Sequence, residues 1–231
     1  MALKPDNTIA RRSALLGMGA LALAGCDTII PGAREQPRLY RLTPKSTFPE
    51  GQPPVDWQLL VERPYAAASL NTLRIGLMTE PTRFDYYALA NWTDQAPLMV
   101  QTLIVESFEN SRRITAVGRD SVGLKPDFVL KVEMREFQVE AYSGAGLHSP
   151  HVGFSVKLVS MPDRLIVAST TIDRRGEGVG EVMNDIIVSW DDALGSAMKE
   201  LVTWTLNAGE AAWRANDRRP RVQRGGAPDW R

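Results

Sequence analysis

The sequence predicts an α+β fold of two layers, a mostly antiparallel sheet with two main helices packed on one face. Apolar side chains alternate along residues 128–141, 152–158 and 166–172, the period of half-buried strands, with turn residues between the runs. Two other segments, one around residue 100 and one toward the C-terminus, carry apolar residues at helical spacing. Each such element has one apolar face, and stacking helices on a sheet buries both kinds of face at once.

The elements follow in chain order. Residues 27–54 are rich in proline and polar side chains, which predicts an extended linker with one short strand at 39–42. WQLLVERP (57–64) reads as a strand closed by a proline that cannot donate to a ladder. Leu73, Ile75 and Leu77 alternate in a second strand at 73–78. Thr93 or Asp94 can cap a helix with Pro97 in its first turn, where a missing N–H costs little. Ala96, Val100, Leu103, Ile104 and Phe108 form the apolar face of that helix.

Residues 128–141 give the clearest strand, apolar at Phe128, Leu130, Val132 and Met134 and again at Phe137, Val139 and Ala141. The phase slips at Arg135 and Glu136, which predicts a bulge that returns the apolar side chains to the core. Val152, Phe154, Val156 and Leu158 follow, then a turn at MPDR (161–164), then the strand at 166–172, completing a meander. A glycine-rich loop, RRGEGVGE (174–181), leads into a long last helix with a buried stripe at Ile186 or Ile187, Trp190, Leu194, Ala197, Met198 and Leu201. From Arg214 the tail holds six arginines against two aspartates with proline and glycine between them. It reads as a solvated disordered end, or as a contact for an anionic lipid surface or acidic partner.

The N-terminus is of another kind. The first twelve residues carry three positive charges, and SALLGMGALALAGC (13–26) carries none. A bilayer-spanning helix needs roughly 20 apolar residues, so this run is a cleaved export signal ending in small residues. Leu23, Ala24 and Gly25 before Cys26, the only cysteine in the chain, match the lipobox of bacterial lipoproteins. By that resemblance Cys26 is the lipid attachment site and the mature N-terminus. A thiolate is the side chain that alkylates most readily, and two acyl chains of the palmitate type anchor durably where one does not. Arg11 and Arg12 partly match a twin-arginine signal, with Ala14 where that motif favours phenylalanine, so general secretion and the twin-arginine route both stay open. The chain thus divides into a signal peptide (1–25), a lipid-anchored linker (26–54), the α+β domain (55–210) and a basic disordered tail (211–231).

Loss of residues 1–25 takes Lys4, Arg11, Arg12 and Asp6 from the 27 basic and 27 acidic side chains, leaving a net charge near −2. Nothing in that balance recruits nucleic acid. Once Cys26 is lipidated no thiol remains, so an exported domain of this kind is held by packing and not by disulfides.

The sequence offers little chemistry. His148 and His151 share one Gly/Ser/Pro loop without a G-x-S-x-G elbow. As metal ligands they would number two, where structural zinc takes four and catalytic zinc three plus water. No cysteine or obvious carboxylate completes the set, so neither a catalytic residue nor a metal or cofactor site is expected. An anchored metal-dependent enzyme built on this loop is the weakest reading. RRGEGVGE lacks the G-K-[ST] ending of a phosphate loop and carries Glu177 and Glu181, which repel phosphate. Trp57, Trp190 and Trp204 are placed like packing residues. Tyr86, Tyr87 and Trp92, near a helix entrance, are candidate anchors for a partner interface.

Six ordered motifs carry a family resemblance: PRLYRLTP (37–44), WQLLVERP (57–64), LNTLRIG (70–76), YYALANWTDQAP (86–97), LIVESFENSRRITAVGR (103–119) and WDDAL (190–194). Together they resemble the ABC-type transport auxiliary lipoproteins, whose members include the lipoprotein component of the paraquat-inducible Pqi system. The resemblance implies a non-enzymatic accessory to an ABC permease and ATPase and a periplasmic MCE-domain protein, with phospholipid as the cargo class. It also implies anchorage in the cell envelope facing the periplasm. Asp27 resembles an inner-membrane retention signal, whereas Pqi-like members are placed at the outer membrane. A carrier that holds lipid in its own groove is the alternative, and a homo-oligomer stays open.

Overall fold

The computed structural model describes residues 35–51, 53–119, 123, 125–142 and 146–217. The chain divides at Gln36/Pro37, and every element below lies in the C-terminal unit. Cys26 and the lipobox lie outside the described residues, as does the tail from residue 218.

The strands are β1 (Arg38–Tyr40), β2 (Val55–Val61), β3 (Tyr65–Ala66), β4 (Arg74–Glu80), β5 (Arg83–Trp92), β6 (Ile114–Gly118), β7 (Phe128–Glu140), β8 (Ser149–Ser160) and β9 (Leu165–Arg175). Two helices, α1 (Ala96–Ser111) and α2 (Met183–Asp217), complete the described structure. The nine strands form one mixed, mostly antiparallel open sheet, so the α+β architecture is as the sequence predicts.

Strand β7 organises the sheet. Along one edge it pairs antiparallel with β8 over its full length, from Phe128↔Ser160 to Glu140↔Ser149, and β8 pairs in turn with β9. Its other edge is shared by three parallel partners: β2 at Phe128–Leu130, β3 at Glu133 and Met134, and β4 at Gln138–Glu140. The sheet therefore forks, with β6 beside β2 on one branch and β5 then β1 beside β4 on the other. The register shifts between Met134 and Glu136 as the phase slip predicts. That bulge keeps Met134 and Phe137 both in the core.

Sequence reading misses β3, which has two residues, as well as β5 and β6. Strand β5 is amphipathic only in part, because Tyr87 and Leu89 fall on the positions that Arg83, Asp85 and Asn91 make polar. Strand β6 has five residues, too few for a period.

Helix α1 starts after Gln95, with Pro97 in the first turn and no side-chain cap bond. Asp94, expected as a cap, instead accepts the Gln95 N–H at 2.7 Å. The helix ends at Arg112 in the left-handed region, φ 53°, with the Arg112 N–H on the Glu109 carbonyl. Helix α2 runs 35 residues, about 50 Å, and its predicted stripe of Ile186, Trp190, Leu194, Ala197, Met198 and Leu201 is wholly buried. It continues to Asp217, into the segment expected to be a disordered tail.

The expected linker also proves different. Among its described residues β1 is the one regular element, and Leu42 is fully buried. The Lys45 N–H donates to Ser107 Oγ of α1 at 3.0 Å, and Asn110 Nδ2 donates to the Lys45 carbonyl at 3.1 Å. Residues 41–48 thus act as a strap across the helical layer. Proline-rich segments lack internal hydrogen bonds, but their polar groups can be satisfied by neighbouring helices.

Candidate functional site

His148 and His151 lie three residues apart in extended backbone, so their side chains leave opposite faces of the sheet. The Tyr87 hydroxyl lies 2.5 Å from His148 Nδ1, and Glu181 lies 4.0 Å from Nε2. Burial pushes the Tyr87 phenol up, and the Glu181 charge adds to the shift. The two histidines that the sequence places together therefore cannot share one ligand.

His151 instead collects carboxylates from its strand neighbours. Register places Gln138, His151 and Arg175 side by side across β7, β8 and β9, with Glu136, Gly153 and Asp173 in the next row on the same face. Phe137, on the opposite face, packs on Trp190 of α2 with ring centroids 5.1 Å apart, so the His151 face is the one turned away from α2. His151 Nδ1 lies 2.7 Å from Glu140 Oε1 and Nε2 lies 2.8 Å from Asp173 Oδ2. Glu136 Oε2 is 4.0 Å from Nδ1 and accepts from Gln138 Nε2 at 2.5 Å. Arg175 donates to the second oxygen of Glu140.

Glu140 and His151 are both buried. Gly76, paired with Gln138, makes part of the cover: a Cβ there would stand 2.6 Å from the Phe84 ring, so its absence lets Phe84 lie over the sheet. Burial alone would raise the Glu140 carboxyl, but hydrogen bonds and charges from His151 and Arg175 outweigh it and hold the group below the ordinary carboxylate range. Burial would lower the Arg175 guanidinium, and Glu140 more than reverses that. Ionised carboxylates only accept, so a ring nitrogen of His151 that bonds to one must carry the hydrogen.

Among the described residues neither histidine is hydrogen-bonded to a serine, threonine or cysteine. The network shares protons and charge across three strands and assembles no nucleophile with a base. Sequence reading finds His151 but not its partners, because they come from other strands. The readable signal is the bulge, which turns Glu136 and Glu140 onto the face opposite Met134.

The aromatic candidates separate. Trp92 is 1% exposed and packs on Phe137 and Trp190, with centroids 5.8 and 4.9 Å away. It is a core residue and not an exposed anchor, because it ends β5 facing α2. Tyr86 is half-buried on the other face of β5, with the Arg74 guanidinium 3.8 Å from its ring centroid and its hydroxyl donating to the Ser69 carbonyl.

Comparison with known proteins places this architecture. An uncharacterized protein of Bradyrhizobium diazoefficiens, bll6063, is 27% identical over 193 residues, covering 80% of this chain and 50% of the relative. The chain thus spans about half the length of the curated relative it matches. The crystal structure of XCC0632 from Xanthomonas campestris, of family DUF330, has a TM-score of 0.71 at 28% identity, covering 77% of this chain and 99% of that one. A second crystal structure, of an uncharacterized protein, shares the fold with a TM-score of 0.54 at 14% identity, covering 73% of this chain and 98% of that one. Residues 40–165, from β1 through the full β7–β8 ladder to the start of β9, match the family described as the ABC-type transport auxiliary lipoprotein component. With more than half of its 231 residues inside that match, the chain belongs to the family of ABC-type transport auxiliary lipoprotein components.

Proposed function

We propose that this protein is a lipid-anchored, non-enzymatic subunit of an ABC/MCE-type transporter that moves lipid, phospholipid by class, between membranes. In this reading Cys26 carries the lipid and the domain faces the periplasm. Its partners are an MCE-domain periplasmic protein and the ABC permease and ATPase. The family match over residues 40–165 carries the proposal, and the lipobox ending at Cys26 is consistent with it.

The scaffold reading is preferred to a lipid carrier because the space between helices and sheet is filled. Trp57, Trp92, Trp190, Phe108, Phe137 and Phe154 occupy it, each fully buried. A surface cleft of about 460 Å³ beside α2 mixes the charged Arg174, Arg175, Glu177, Asp185 and Asp192 with Val179, Val188 and Ala193, a lining less apolar than an acyl chain calls for.

Deletion of the protein should redistribute phospholipid between the two membranes while ATP hydrolysis by the isolated transporter is unchanged. The tagged full chain, extracted in detergent, should co-purify with the MCE-domain protein. A wild-type lipid distribution in the deletion strain overturns the proposal.

A further inference from the structure

We propose that Glu136, Glu140 and His151 bind a divalent transition-metal ion of the zinc class, with Asp173 orienting the histidine. Each of the three offers a ligand atom, and these atoms lie within 4.8 Å of one another. Tetrahedral zinc with bonds of about 2.0–2.1 Å sets its ligands about 3.3 Å apart. Nδ1 to Glu140 Oε1 is 2.7 Å and Nδ1 to Glu136 Oε2 is 4.0 Å, so adjustments of about 0.7 Å bring both to that spacing.

The second ring nitrogen supports the same assignment. Asp173 Oδ2 lies 2.8 Å from Nε2, placed as the outer carboxylate of a carboxylate–histidine–metal triad. Nδ1, on the other side of the ring, faces Glu140 and Glu136, the carboxylates that would complete the ligand set. Either a proton or a metal ion can occupy Nδ1.

Charge distinguishes them. Three carboxylates, Glu136, Glu140 and Asp173, face one guanidinium, Arg175. With a neutral imidazole the cluster carries −2, which a proton halves and a divalent ion cancels. Mixed nitrogen and oxygen ligands suit zinc, manganese, iron, cobalt and nickel, and water fills the remaining position. The site opens on the side of Glu136 and Asp173, whose side chains are 40% and 59% exposed, while Glu140 and His151 close the floor. The ion would tie β7, β8 and β9 together.

The test uses the full chain in detergent, stripped with EDTA, dialysed and titrated with Zn²⁺ by calorimetry. In parallel, Co²⁺ is followed by its visible d–d absorption. One equivalent should bind. Glu136→Gln is the decisive variant, since a half-exposed side chain can change without unfolding the sheet, as near-UV circular dichroism will verify. It should weaken binding at least tenfold, and Asp173→Asn should do so by 10–100-fold, while His148→Gln leaves binding unchanged. The proposal is overturned if the wild-type chain takes up neither ion saturably, or if Glu136→Gln binds within tenfold of wild type.

Discussion

Thr43 gives the Asp191 carboxylate two hydrogen bonds, one from its backbone N–H at 2.6 Å and one from its hydroxyl at 2.5 Å. A residue near the start of the domain is thereby fixed to the last helix, while Lys45 two residues on is fixed to α1. Hydrogen bonds to charged groups contribute about 1.5–3 kcal/mol when well formed, and exposure reduces that here. Asp191→Ala should therefore cost about 1–2 kcal/mol. It should also speed amide exchange at Thr43 while leaving β7 protected. Unchanged exchange at Thr43 would mean that Leu42 and the Lys45 bonds to α1 hold the strap without Asp191.

The Glu140 network makes the fold acid-sensitive. Its carboxyl is held below the ordinary 4.5 in the folded state, because the bonds and charges of His151 and Arg175 outweigh burial. A group lowered in this way contributes stability that is complete above its unfolded value and disappears as pH falls through the folded value. Thermal melts should thus show an acid-side loss beginning below about pH 4.5. Glu140→Gln removes the buried charge partner and should cost about 3 kcal/mol at neutral pH. The gap from wild type should narrow on acidification. A variant curve parallel to wild type down to pH 3 would refute the assignment.

Gly209 tests how tightly α2 seats on the sheet. In an exposed helix, Gly→Ala gains about 1 kcal/mol from propensity. Here a Cβ would meet the Trp57 ring at 2.5, 2.8 and 3.1 Å, and Trp57 is fully buried. Overpacking of that kind costs about 1–3 kcal/mol, so Gly209→Ala should lower the unfolding midpoint. A rise in the midpoint would show that Trp57 has room to move.

The contrast between Gly209 and the meander shows what the sequence makes legible. Period-two alternation in β7, β8 and β9 and period-3.6 spacing in α2 are local, so strands, bulge and buried stripe can be read directly. The fork at β7 is not local. Three short parallel partners share one edge, and nothing within 55–61, 65–66 or 74–80 says which part of β7 each will meet. The same limit hides the site. His151 is visible as a residue, but Glu140 is its neighbour only through the β7–β8 register and Asp173 only through β8–β9. Trp92 fails in the opposite direction: an aromatic residue before a helix looks like an anchor until β5 turns it into the core.

Cys26 remains the residue on which the proposed function depends most simply. No helix among the described residues is long and apolar enough to cross a membrane. Attachment through acyl chains contributes about 0.8 kcal/mol per buried CH₂, and two chains hold where one exchanges. Serine at position 26 keeps Leu23, Ala24 and Gly25 but offers no thiolate to alkylate. Cys26→Ser should therefore abolish metabolic labelling by palmitate and move the protein out of the acylated membrane fraction, while the domain's melting temperature stays within error of wild type. If the variant stayed labelled, the acyl group would have to sit elsewhere, since Cys26 is the only cysteine in the chain. If it lost the label yet stayed bound to membranes after high-salt washing, a protein partner rather than the lipid would be its anchor.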